Sequence, residues 1–168
     1  MASIVFGTND KLTSRLIRWV TKSPWSHVWI EYKSQTWGGH WMAIHSSAKG
    51  VVIEPCENVR KRYPKCKTYE CRADIGNGLL AIRHYLGADY DYKAVLWNGF
   101  LLLVYTFCPV RELFDIVERN NARFSCSELA SIILKQAKIR GAHGLDPELM
   151  TPGMLERFCS SNDLFWVT

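Results

Sequence analysis

The strongest constraint in this sequence is a helix start at Ser125, three residues ahead of Glu128. A serine and a glutamate at this spacing form a capping box, in which each side chain binds the other residue's backbone N–H. Apolar residues then recur at helical spacing from Leu129 to Ile133, so the helix packs one face into a core. Cys126 therefore takes the first helical position.

A thiol at that position is placed to react. The unpaired N–H groups and the positive end of the helix dipole stabilise an anion, so they lower the pKa of Cys126 toward the nucleophilic thiolate. The alternative interpretation is an inert core cysteine, because free cysteines commonly behave as small buried apolar residues. A base supplied elsewhere in the chain would favour the reactive interpretation.

The composition is typical of one globular domain over residues 1–168. Hydrophobic residues make up 48% of the chain and charged residues 22%, which excludes a disordered chain. The net charge is +5, and most basic residues are scattered along the chain. The one local cluster of basic residues, at 60–67, is interpreted as a solvated loop, so no nucleic-acid partner is expected. The six cysteines lack paired CxxC spacing, and neither a metal nor a cofactor is predicted.

The sequence also carries information on membranes and location. Its first residues lack the basic and cleavage segments of a signal peptide, and free thiols suit a reducing compartment, so a cytoplasmic location is expected. Residues 94–110 are uncharged, but a membrane span needs roughly 17 to 25 apolar residues, and Gly99 and Pro109 interrupt this run. We predict a buried helix there, with membrane contact through 94–110 as the alternative.

Alternating patterns in the first half predict an antiparallel meander. Strands are predicted at 3–6, 25–32, 41–46, 50–54 and 67–71, and helices after residue 10, from 74 to 87, from 126 and after 151. Alternation along the second strand places His27 and Glu31 on one face, and a hairpin with the third strand brings His45 beside His27. The fold class is therefore α+β.

A helix-terminal thiol and two imidazoles on one sheet face match the needs of thiol hydrolases. There, an imidazole takes the thiol proton and later protonates the leaving group, while a third residue orients the ring. Cys126, His27 and His45 fit these roles, with Glu31 as the alternative orienting residue. A zinc site built from His27, His40, His45 and Glu31 is a weaker alternative, because it leaves the capped position of Cys126 unexplained.

Several short stretches, in this order, resemble the circularly permuted branch of the NlpC-like, papain-fold cysteine amidases. The stretches are Ser23–Ile30 with Ser26-His27-Val28 inside it, Ile44-His45 with Gly50-Val51, Gly87–Tyr92, Phe124–Ala130 and Met150–Leu155. In unpermuted relatives the cysteine helix precedes the histidine strands, whereas here it follows them. The same order is found in the branch that contains lecithin:retinol acyltransferase-like proteins.

The resemblance implies a papain-like domain in which an antiparallel sheet packs against helices. It implies that Cys126 is the nucleophile, His27 the base and His45 the orienting residue. Tyr90 is the expected contributor to the oxyanion site or to substrate positioning, with Ser125 and Glu31 as further candidates.

The expected function is that of a cysteine hydrolase of amidase or peptidase type. It would act through a thioester on a peptide or peptidoglycan-like amide. One alternative is a lipid acyl hydrolase or acyltransferase at a membrane surface. Another is a catalytically silent papain-like module that binds a partner through the histidine-bearing face, where Trp25, Trp29 and Trp41 line a groove or pack into the core.

Overall fold

The computed structural model describes residues 2–90 and 123–168, which form an α+β fold. Its strands are β1 (Ala2–Thr8), β2 (His27–Lys33), β3 (Trp41–Ser47), β4 (Gly50–Pro55), β5 (Lys65–Cys71), β6 (Asp89–Tyr90), β7 (Arg123–Phe124) and β8 (Phe165–Val167). Six of them form an antiparallel sheet in the order β4-β3-β2-β1-β5-β8, while β6 and β7 form a separate parallel pair. The predicted α+β class is confirmed.

Helices connect and cover these strands. They are α1 (Leu12–Thr21), α2 (Cys56–Arg62), α3 (Gly76–Ala81), α4 (Cys126–Gln136) and α5 (Pro152–Ser161), with 3₁₀ turns at Ile82–Tyr85, Ala142–Gly144 and Pro147–Leu149. The helix predicted from residue 74 to 87 is thus a short α-helix followed by a 3₁₀ turn.

The predicted meander is correct for the first four strands and wrong for the fifth. Strand β5 pairs with β1 along its whole length, with Ile4 opposite Tyr69, and it does not pair with β4. The prediction failed because residues 60–67 are not a solvated loop: α2 and the start of β5 occupy them. Cys56 and Val59 lie three residues apart on α2 and are both buried, which fixes this helix against the sheet.

Strand alternation gives the sheet two differently covered faces. On the face that we call the α4 face, Val28, Ile30 and Ile44 join the larger apolar cluster with Leu129 and Ile133. On the opposite face, called the α2 face, a smaller apolar cluster contains Val5, Trp29, Ala43, Cys56 and Val59. Helices α4 and α2 therefore cover opposite sides of the same strands.

Within residues 2–90 and 123–168, no helix has both the length and the apolar character that crossing a membrane requires. The predicted helix at 94–110 lies outside the described residues.

Candidate active site

The structure brings His27 and His45 together on the α2 face, as the strand alternation predicts. His27 Nε2 lies 3.0 Å from His45 Nδ1, which is hydrogen-bond distance. Both residues are buried, with only 4% and 2% of their surface exposed. The pair is thus a direct contact between two buried imidazoles.

A carboxylate that the sequence reasoning missed extends this contact. Glu54 Oε1 lies 2.7 Å from His45 Nε2, and its side chain also forms an ion pair with Arg62, whose Nη1 is 3.0 Å from Glu54 Oε2. The strand pattern contains the signal for this contact. Val52 pairs with His45 across β3 and β4, so Glu54, two residues later, lies on the same face.

The charge of Glu54 fixes the proton positions in the row. Partial burial raises the pKa of the Glu54 carboxyl, but hydrogen bonds from Arg62 and His45 outweigh burial and hold that pKa below its ordinary value. The ionised carboxylate accepts the His45 Nε2–H, which leaves Nδ1 of a neutral His45 as an acceptor. His27 Nε2–H then donates to His45 Nδ1, and His27 Nδ1 carries the unprotonated lone pair.

Burial keeps both imidazoles neutral near pH 7. Desolvation, helped by His45 and Arg62, lowers the pKa of His27 well below its ordinary value of 6.5. Desolvation also lowers the pKa of His45, although Glu54 opposes the shift. The assigned proton positions require both rings to be neutral. The lowered pKa values of His27 and His45 are consistent with this requirement.

Aromatic packing fixes the orientation of the His27 ring. The Tyr63 ring stacks on it at a centroid distance of 4.6 Å and an interplanar angle of 12°, and Trp29 lies 6.1 Å away. Gly7 is required beneath them, because a Cβ there would lie 2.6 Å from the Trp29 ring. Trp29 is fully buried and therefore belongs to the core and not to a groove.

Cys126 lies at the first position of α4, as the capping box predicts. Ser125 Oγ accepts the Glu128 N–H at 3.2 Å, and Glu128 Oε2 accepts the Ser125 N–H at 3.1 Å. Cys126 itself is 4% exposed and joins the apolar cluster of the α4 face. Ser125 is therefore engaged in the cap, and Cys126 is held in the turn with the positive dipole end.

One hydrogen bond joins the start of α4 to an end of the sheet, because Ser46 Oγ donates to the Phe124 carbonyl at 2.6 Å. A second bond, from Ser127 Oγ to the Met150 carbonyl at 2.6 Å, joins the first turn of α4 to the segment before α5. Ser46 follows His45 at the end of β3, and β2, which runs antiparallel to β3, begins at His27. The histidine pair and the first turn of α4 thus occur at the same end of the sheet.

The two groups nevertheless belong to different faces. Val28 points to the α4 face and its neighbour His27 to the α2 face, where its ring meets Tyr63. The structure therefore pairs the histidines directly and brings Cys126 to their end of the sheet from the other side.

Two further predicted site residues, Tyr90 and Glu31, lie in different surroundings. Tyr90 pairs with Phe124 in the β6–β7 ladder, so its backbone lies next to the strand that leads into Cys126. Gly50 allows the residues just before β6 to pack against β4, because a Cβ there would lie 2.3 Å from the Ala88 carbonyl oxygen. By contrast, Glu31 does not orient His27 in this structure; that contact belongs to His45.

Glu31 is engaged in a separate buried network. Its carboxylate binds Arg60 through two contacts of 2.8 Å and accepts a hydrogen bond of 2.8 Å from Trp29 Nε1. Over the described ranges, no three His, Cys, Asp or Glu side chains are grouped so that they could hold a metal ion. His40, the third histidine of the zinc alternative, lies just before β3, at the opposite end of that strand from His45 and Ser46.

Comparison with known proteins supports the fold alone. No family model matches the chain, and no curated protein matches it. Among solved structures, it is similar to the crystal structure of the metalloprotein yiiX from Escherichia coli O157:H7, DUF1105. The two chains share 14% identity at a TM-score of 0.53, over 99% of this chain and 94% of the other.

Proposed function

We propose that the protein is a cysteine hydrolase of amidase or peptidase type, in which Cys126 is the nucleophile and His27 the base. The observation that carries this proposal is the hydrogen-bonded row of Glu54, His45 and His27, and the tautomers assigned above leave His27 Nδ1 unprotonated at its end. This row lies at the end of the sheet where the Cys126 helix begins. A fixed base and a helix-terminal thiol are the two parts that nucleophilic thiol catalysis requires.

The proposed reaction begins with proton transfer from the Cys126 thiol to His27 Nδ1. The thiolate then attacks the carbonyl carbon of the substrate, forming an S–C bond and moving the carbonyl π electrons to oxygen. Collapse of this intermediate breaks the bond to the leaving amine, which takes the proton from the His27 imidazolium. Water, deprotonated by His27, hydrolyses the remaining thioester and restores the thiol.

Glu54 and His45 act as positioning residues for His27. When His27 becomes an imidazolium, its Nε2–H still donates to His45, whose own Nε2–H donates to the Glu54 carboxylate. The row therefore stabilises the charge without moving further protons. The first turn of α4 adds its dipole, which favours the thiolate and the negative oxygen of the intermediate.

The same hydrogen bonds argue against a metal centre at the histidine pair, although the structurally similar yiiX is described as a metalloprotein. Of the four ring nitrogens in the pair, two face each other and one faces Glu54. A single lone pair, on His27 Nδ1, is left to bind a ligand. A protein zinc site needs three or four such donors, whereas a general base needs one.

A thiol probe tests the proposal. Iodoacetamide is added to the folded protein, and the alkylation rate of each cysteine is measured by peptide mass spectrometry. We expect Cys126 to react faster than Cys66, although Cys66 is exposed and Cys126 is buried. His27→Ala should remove this advantage, and the Cys66 rate in the same variant should stay constant as the internal control.

The proposal fails if Cys126 reacts no faster than Cys66 in the wild-type protein. It also fails if His27→Ala folds normally and leaves the Cys126 rate unchanged. Assays of amide and ester substrates then separate the amidase from the acyl-lipid alternative.

A further inference from the structure

Helix α1 presents an apolar stripe to solvent. Leu12, Leu16 and Trp19, spaced by four and three residues, lie on one side of the helix and are 80%, 45% and 67% exposed. The sequence pattern places Leu12 and Leu16 on one face of the predicted helix, together with Ile17 and Val20. In the structure these four residues are not buried together: Ile17 and Val20 are half-buried, the two leucines are exposed, and the residue that α1 buries is Ser14.

A buried hydroxyl contact explains this orientation. Ser14 Oγ accepts a hydrogen bond of 3.0 Å from Ser26 Oγ, and Ser26 also contacts Thr8 Oγ1 at 3.2 Å. Because this polar cluster fixes the inner side of α1, the apolar stripe is turned outward. Ser26 immediately precedes His27, so α1 is attached next to the candidate active site.

A basic stripe runs directly beside the apolar one. It consists of Arg15 and the half-buried Arg18, each one residue ahead of an apolar stripe residue, with Lys11 and Lys22 as the caps at the two ends of the helix. No acidic residue occurs from position 11 to position 22. Four cations thus flank three large apolar side chains along one short helix.

We propose that α1 binds the surface of an anionic lipid membrane, with Leu12, Leu16 and Trp19 inserted among the lipids. Helices that lie on membranes combine an apolar face with flanking lysines and arginines, which contact anionic headgroups. Tryptophan, like tyrosine, is enriched at the boundary between headgroups and acyl chains. The two adjacent stripes of α1 supply both parts.

Charge argues against a second copy of the chain as the occupant of this surface. A symmetric dimer through the apolar stripe would bring two basic stripes together, and neither contains a carboxylate to compensate. An anionic membrane neutralises the same charges. The membrane is therefore the better match in both hydrophobicity and charge.

The proposal goes beyond the thiol chemistry and does not depend on it. Docking through α1 would bring the start of β2, and hence His27, near the lipid surface. Cys126→Ser should abolish alkylation of the proposed nucleophile and leave membrane binding at the wild-type level. Failure of one proposal is thus distinguishable from failure of the other.

Vesicle flotation of the full-length protein tests the proposal. Vesicles of phosphatidylcholine alone are compared with vesicles containing about 30% phosphatidylserine. We expect flotation with the anionic vesicles only, and release as the salt concentration rises. Replacing Leu12, Leu16 and Trp19 together by serine should weaken binding at least about tenfold, and Arg15→Glu should weaken it too.

Trp37→Ser is the matched control. Trp37 is 48% exposed but lies in the β2–β3 turn, away from α1. Its replacement should leave flotation unchanged, and thermal unfolding checks that each variant is folded.

Three results would overturn the proposal. The first is an absence of binding to anionic vesicles. The second is binding that survives in the triple serine variant, which would assign the contact to another segment, such as 94–110. The third is concentration-dependent self-association in sedimentation that the triple variant abolishes, which would assign the stripe to a second copy.

Discussion

Replacement of Glu54 by glutamine should slow thiol alkylation by roughly an order of magnitude. The side chain keeps its shape and an oxygen that accepts the His45 Nε2–H, but it loses its charge. The contacts of 2.7 Å and 3.0 Å in the row place the carboxylate about 8 Å from the charge that forms on His27. At that distance and an effective dielectric constant of about 20, their attraction is about 2 kcal/mol.

This value is an upper limit, because the Glu54 side chain is 22% exposed and water screens part of its field. A loss of about 1.4 kcal/mol corresponds to a tenfold change in an equilibrium constant. We therefore expect the pKa of His27 to fall further and the Cys126 alkylation rate to fall about tenfold. The assay is the rate of iodoacetamide modification as a function of pH, resolved by cysteine.

Glu31→Gln is the matched control for this change. Glu31 is also a carboxylate on the α2 face with an arginine partner, but it binds Arg60 and Trp29 and does not contact the histidine pair. The control variant should lose stability and keep the wild-type alkylation profile. The role of the Glu54 charge is refuted if Cys126 in folded Glu54→Gln protein is alkylated at the wild-type rate. It is also refuted if Glu31→Gln slows Cys126 alkylation by the same factor.

Three further predictions concern stability. Burial lowers the pKa of His27 and His45 in the folded state, so the unfolded chain binds more protons just below their ordinary value of 6.5. The free energy of unfolding should therefore fall as the pH drops below about 6.5, and His27→Gln should flatten this dependence in urea titrations. Gly7→Ala should cost about 1 to 3 kcal/mol in the same measurement, because the new Cβ meets the Trp29 ring; a loss below about 0.5 kcal/mol would show that the ring moves away freely. Ser125→Ala should cost about 1 kcal/mol through loss of the cap, and an unchanged urea midpoint would contradict the role assigned to that hydroxyl.

Local signals predicted much of the fold and part of the site. The capping box at Ser125 and Glu128 is a short-range pattern, and the structure contains both of its hydrogen bonds. The contact between His27 and His45 follows from alternation and from the pairing of two consecutive strands, joined by a loop over residues 34–40. Features of this kind need no knowledge of the rest of the chain.

Long-range packing was not predictable in the same way. The sequence of α2 looks like a basic loop because its arginines are charged, yet Arg60 and Arg62 bind Glu31 and Glu54 from the neighbouring strands. No sequence pattern within α2 indicates that Glu31 and Glu54 are the partners of its arginines. The outward stripe of α1 was missed for a related reason, since a buried contact to Ser26 overrides its apolar periodicity.

The position of His27 in its strand is what makes the proposed chemistry possible. A residue in the middle of β2 on the α2 face would be separated from α4 by the sheet itself. His27 is the first residue of β2, so this strand does not continue beyond it, and Cys126 is the first residue of the helix that covers the other face. The His45 contact uses the Nε2 side of the ring, and Tyr63 covers one of its planes, so Nδ1 is the ring atom left to meet a thiol at this end. In the proposed mechanism, a base at this strand end serves a nucleophile from the opposite face, which a histidine two residues further along β2 would not do.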